Sequence, residues 1–168
     1  MQVHPPRLYT LSIAAAALIG GVMAAPALAS ASWKGGTGAS AGNKVGSLSV
    51  IDSFLPQPAS SDVASIYLTV KNSGSRPDAL ISVSSAAASG SMMMTDNRNG
   101  TMGMLRELRI PAHGKASLTP GRDHLMLEQP RHSLSVGQHV TVTLRFQHAG
   151  LLTISVPVVP LSRMLEHS

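Results

Sequence analysis

From Leu48 to Val158 apolar and polar residues alternate with a period of two, segment after segment: Leu48 and Val50; Ile66, Leu68 and Val70; Ala79, Ile81 and Val83; Val140, Val142, Leu144 and Phe146; Leu152, Ile154, Val156 and Val158. A period of two puts one side of each segment into a core and the other into solvent, which is the pattern of half-buried strands. Turn formers separate the segments at Asn72-Ser73-Gly74, Asp96 to Gly100, His113-Gly114, Pro120-Gly121, Val136-Gly137 and Ala149-Gly150. No stretch beyond residue 29 keeps a helical period.

About nine short strands at this spacing predict an all-β domain over residues 47–160, a Greek-key β-sandwich of the cupredoxin-like or immunoglobulin-like kind, with 161–168 as a C-terminal tail. Only 3% of the 168 residues are aromatic. The core must therefore be built from Val, Leu, Ile and Ala, and base-stacking modules, which need aromatic platforms, are disfavoured. The net charge of +5 comes from basic residues scattered singly, so a nucleic-acid groove has no support.

The first 29 residues read as an export signal. Arg7 precedes an apolar stretch from Leu11 to Ala29 that closes on Ala27-Leu28-Ala29, the small-x-small pattern of a cleavage site. The stretch is nearly long enough to span a bilayer, so the alternative is an uncleaved N-terminal anchor, which is then the chain's sole membrane contact. Residues 30–46 are rich in Gly, Ser and Ala and read as a flexible linker. The expected location is periplasmic or extracellular.

The sequence contains no cysteine. That removes thiolate zinc sites, iron–sulfur clusters, Cys nucleophiles and disulfide frameworks, and leaves Met and His for any soft-metal site. The eight carboxylates are isolated in sequence, and no nucleophile elbow, phosphate loop or zincin motif is present, so an enzyme is not expected.

Of nine methionines, six crowd into one region: Met92, Met93, Met94, Met102, Met104 and Met126. Ser91–Thr95 and Thr101–Arg109 flank a loop of turn-forming residues and read as a hairpin. A five-residue loop pairs Met94 with Met102 and Met92 with Met104; a four-residue loop pairs Met93 with Met104. Further on, His124 and Met126 are two apart, so on a strand both point the same way. Thioether sulfur with imidazole nitrogen, and no thiolate, is the donor set that suits Cu(I), a soft ion that prefers polarisable ligands. Thioethers form no disulfides, so they keep their donor character in an oxidising compartment. Met is also ordinary core filler. Three in a row cannot all be buried on one side of a strand, however.

From about Leu48 to Val158 the sequence resembles the periplasmic copper chaperone family, the PCu(A)C-like proteins. The residues that carry the resemblance are Ile66-Tyr67-Leu68-Thr69-Val70-Lys71-Asn72, Gly100-Thr101-Met102-Gly103-Met104, Ile110-Pro111-Ala112, Pro120-Gly121-x-x-His124-x-Met126, Val140 to Leu144 with Phe146, and Ala149-Gly150. The resemblance implies a cupredoxin-like sandwich that binds one Cu(I) and delivers it to an acceptor protein, a cytochrome oxidase subunit or assembly factor. It maps the His-x-Met ligands onto His124 and Met126, the earlier Met onto Met104 and the first ligand onto Met93, where imidazole is commoner. The interval from Met104 to His124 is about two residues short of the family's pattern, so Met102 is an alternative there, and Met92 and Met94 are possible additional ligands.

The rival reading is an exported β-sandwich interaction module whose methionines form an adaptable protein-binding patch without metal. The remaining histidines, His113, His132, His139, His148 and His167, fall in turns, at strand ends or at the terminus and read as surface residues.

Overall fold

The computed structural model describes residues 40–97 and 101–166. Twelve strands run in chain order: β1 Ser40–Ala41, β2 Lys44–Val45, β3 Leu48–Pro56, β4 Val63–Asn72, β5 Asp78–Ser84, β6 Ala88–Asn97, β7 Thr101–Met104, β8 Leu108–Ile110, β9 Lys115–Leu118, β10 His124–Pro130, β11 His139–Phe146 and β12 Gly150–Val159. A 3-10 helix, Leu161–Glu166, follows. The expected leader, residues 1–29, and the first part of the linker lie outside the described residues. No described helix is long and apolar enough to cross a membrane.

The alternating segments all became strands, and in β4, β11 and β12 the alternation fixes what is buried; β5 departs from it, because a register shift against β11 at Ile81 leaves that residue 36% exposed and turns Leu80 inward instead. In β11, Val140, Val142, Leu144 and Phe146 point inward while His139, Thr141 and Arg145 are exposed. The strand path is β7-β6-β10-β4-β3-β12-β11-β5-β8, antiparallel except where β12 meets β1 and β3. It folds over on itself: Ile66, Val70, Leu125 and Leu127 from one half and Leu80, Val142, Ile154 and Val156 from the other belong to one hydrophobic core. Consecutive strands cross between the halves, from β4 to β5, back to β6, and from β7 to β8, as a Greek-key sandwich requires. The fold is all-β, as the periodicity dictates.

Two boundaries differ from expectation. The linker was expected to run to residue 46, but Ser40–Ala41 pair with Leu152–Thr153 and Lys44–Val45 pair with Leu48–Ser49. Ladder pairing uses backbone groups, so a segment without an apolar pattern can still join a sheet. In the tail, residues 161–166 form the 3-10 helix. Pro157 lies inside β12, at the terminal pair of its ladder with β11, opposite His139.

Buried Asn72 closes the β4–β5 turn. Its side-chain oxygen accepts from the Gly74 amide at 2.9 Å and the Ser47 hydroxyl at 3.1 Å, and its amide donates to the Arg76 carbonyl at 2.7 Å.

Candidate metal centre

The site is built on β6, β7 and β10. Strand β10 lies between β6 and β4, and the register places His124 opposite Met94 and Met126 opposite Met92. On its outer side β6 pairs with β7, placing Met94 opposite Met104 and Asp96 opposite Met102. Directly opposite residues share a sheet face, as do residues two apart on one strand. Met92, Met94, Met102, Met104, His124 and Met126 therefore stand on one face.

Met93 stands on the other. It is 4% exposed within the hydrophobic core, opposite Leu125. The ligand set read from the sequence, Met93 with Met104, His124 and Met126, is thus divided: the structure brings the last three together and directs Met93 away from them. The reason is parity, because neighbouring strand residues point to opposite faces. Of the triplet, Met92 and Met94 are the two that face His124.

The hairpin register is neither of those expected. Pairing runs out to Asn97 and Thr101, leaving three residues between the strands. Relative to the five-residue reading, β7 has slid by two residues, which changes every partner but leaves each methionine on its face.

His124 is buried on this face, 8% exposed. Its Nδ1 lies 3.3 Å from the Arg122 carbonyl oxygen, which can only accept, so Nδ1 carries the proton. In the neutral ring that leaves the Nε2 lone pair available to a metal, the usual way an outer hydrogen bond fixes a ligating tautomer.

Behind the imidazole is an aromatic flank. The Tyr67 and His124 rings are 6.2 Å apart at 54°, and the Phe54 and Tyr67 rings 5.4 Å apart at 41°. Phe54 and Tyr67 are both buried yet lie outside the main core cluster, so they pack as a small second layer on the outer face. Burial pushes the Tyr67 phenol above its ordinary value of 10.0, opposed by a hydrogen bond with the Ser65 side chain. Ser65 in turn stands opposite Met126. A cavity of about 290 Å³ beside this layer is lined by Val63, Ser65, Tyr67, Leu161 and Met164. Sequence reasoning assigned Tyr67 and Phe54 no role. The inward set Ile66, Leu68 and Val70 already implies that Tyr67 points outward, but its neighbours across the strands depend on register.

The face grades from closed to open. His124 is buried, Met92, Met94 and Met126 are half-buried, and Met102 and Met104 on the sheet's edge strand are 51% and 69% exposed. Glu128 closes the opposite end on the same face, paired with Gly90, where a Cβ would stand 2.6 Å from the Glu128 carboxylate. Among the described residues no three His, Cys, Asp or Glu side chains are grouped as a metal site. A metal held here would have thioethers for most of its ligands. A larger cavity, about 510 Å³, lies elsewhere, beside β5 and β8 at Asp78, Arg109 and His148. Its Asp78 carboxylate is already engaged by the backbone amides of Ala79, His148 and Ala149.

Comparison with known proteins places the chain. Residues 48–158 match the family described as "Putative lipoprotein LpqE-like". "Putative lipoprotein Lxx21020" of Leifsonia xyli subsp. xyli is 34% identical over 113 residues, covering 65% of this chain and 68% of that protein. Among solved structures, the copper-bound PCuAC domain from PmoF2 is similar with a TM-score of 0.61 and 27% identity, over 70% of this chain and 96% of that one. The Cu(I)-bound DR1885 of Deinococcus radiodurans is similar with a TM-score of 0.55 and 27% identity, over 68% and 78% of the two chains.

Proposed function

Since the chain belongs to the LpqE-like family, we propose that it is an exported copper chaperone, a carrier rather than an enzyme, which binds Cu(I) on the β6–β7–β10 face. The supporting observation is the cross-strand row Met104–Met94–His124, continued by Met92 and Met126 in the next row. Three strands thereby bring soft donors and one tautomerically fixed imidazole to one surface. The proposed ligands are His124 Nε2 and the sulfurs of Met94, Met104 and Met126, with Met92 adjoining. Met94 takes the place that the family pattern gives to Met93. Copper bound to similar PCuAC structures supports the choice of ion.

Copper is cargo here, and carriage requires release. Neutral thioethers hold Cu(I) without the charge that would make a thiolate site hard to empty. Met104 at the edge can exchange for an acceptor's ligand first, and His124, held by Arg122 and backed by Tyr67, leaves last. The acceptor is a protein of copper-centre assembly, with cytochrome oxidase the reading carried from the sequence resemblance. Retention at a membrane would use the apolar stretch Leu11–Ala29 as an uncleaved anchor.

A Cu(I) titration of the protein under reducing conditions against a competing chelator tests the reading, run beside His124→Ala and Met126→Ala. One tightly bound equivalent, weakened in both variants, is expected. Binding indifferent to both substitutions would remove copper from this face and leave the metal-free methionine patch. His124 favours the metal: a patch that merely adapts to a protein partner has no use for a buried imidazole with an assigned tautomer.

A further inference from the structure

The outer face carries six soft donors, two more than the four proposed ligands, the extra pair being Met92 and Met102. They are not equivalent. Met102 lies one row beyond the His124 row, opposite exposed Asp96, and is 51% exposed on an edge strand that pairs on one side only among the described residues. Yet it shares its face and strand with Met104, and stands on the diagonal from Met94. Diagonal neighbours are about 7–8 Å apart at the backbone, a span that long, flexible side chains cover.

We infer that Met102 is a capture thioether: together with Met104 it takes Cu(I) at the open edge of β7 and passes the ion inward to Met94, His124 and Met126, with Met104 as the ligand common to both stations. This rests on the carrier reading above. The physical case is one of ligand exchange. An incoming Cu(I) arrives with ligands of its own, and moving directly to a buried imidazole would strip several of them at once. Two exposed thioethers two residues apart replace them one at a time, so the ion stays coordinated throughout. No electron or proton moves in the exchange, since both thioethers and the His124 Nε2 donate lone pairs in their neutral forms.

The test separates the rate of arrival from affinity. Cu(I) presented as its complex with a chromophoric chelator is mixed rapidly with the wild-type protein, Met102→Leu and Met94→Leu, and each is also titrated to equilibrium. Leu keeps the apolar volume and removes the sulfur, and an exposed site leaves the fold intact, which a melting curve checks. For Met102→Leu we expect affinity within about 3-fold of wild type and arrival slowed by about 5-fold or more; for Met94→Leu, affinity reduced by about 10-fold or more. Arrival at the wild-type rate in Met102→Leu would overturn the inference, and so would an affinity loss matching that of Met94→Leu, which would make Met102 a resident ligand. A wild-type protein that takes no Cu(I) would fail at the carrier reading itself, an outcome visible before any variant is compared.

Discussion

Met94 and His124 face each other directly across the β6–β10 ladder. Their immediate chain neighbours, Met93 and Leu125, face each other in the core on the other side of the same sheet. One residue of register separates a core side chain from a candidate copper ligand.

Met93 and Met94 should therefore dissociate cleanly under mutation. Met93→Ala opens a cavity in the core and should cost about 2–4 kcal/mol of stability, with little change in the Cu(I) affinity of the folded fraction. Met94→Ala should do the reverse, losing about tenfold or more in affinity at a stability cost below about 1.5 kcal/mol. Denaturant unfolding and chelator competition on both variants check this.

Replacing the imidazole should weaken binding more than replacing any single thioether. His124→Leu fills the space beside Tyr67 but offers no donor, and should lose about 100-fold in Cu(I) affinity while melting within about 5 °C of wild type. Competition titration and thermal unfolding, compared with Met126→Leu, decide it.

Tyr67 should make alkaline stability fall. Burial favours the neutral phenol, so the folded state holds this proton more tightly than the unfolded chain, whose phenol titrates near 10.0. The associated stability is fully present below that value and is lost as pH rises through the higher folded value, where the unfolded state binds fewer protons. Denaturation midpoints should drop more steeply above pH 10.0 in the wild type than in Tyr67→Phe. Parallel curves for the two would dismiss the role of burial.

Oxidation should follow exposure. Dilute peroxide should convert Met102 and Met104, at 51% and 69% exposure, before Met92, Met94 and Met126, with Met93 last. A sulfoxide is no longer a soft donor, so affinity should decline as Met104 is oxidised. Peptide mapping by mass spectrometry gives the order, and sulfoxide appearing first at Met93 would contradict the placement of the two faces.

Asn72→Ala supplies a control outside the proposed ligand set. It strands the Gly74 amide and the Arg76 carbonyl and should cost about 2–3 kcal/mol, while Cu(I) affinity of the folded protein stays as in the wild type. Unfolding and titration on one sample report both.

The sequence by itself determined a great deal here. Alternation from Leu48 to Val158 required strands and named most inward residues, because the period of a strand is a property of the backbone; Ile81 is the exception, exposed where a register shift against β11 turns Leu80 inward instead. The absence of cysteine, the crowding of methionines and the His124-x-Met126 pair set the kind of donor available, since that is composition and local geometry. Tertiary structure decided the rest. The chain alone left the β6–β7 register open between two readings, and a third is found, because a ladder's extent depends on how far both strands can pair before the turn. Only that register, with the one joining β6 to β10, makes Met94 rather than Met93 the neighbour of His124. The aromatic layer of Phe54 and Tyr67 beside the imidazole was likewise invisible: it sets the paired strands β3 and β4 against β10, far along the chain, and that neighbourhood exists only once the strands have paired.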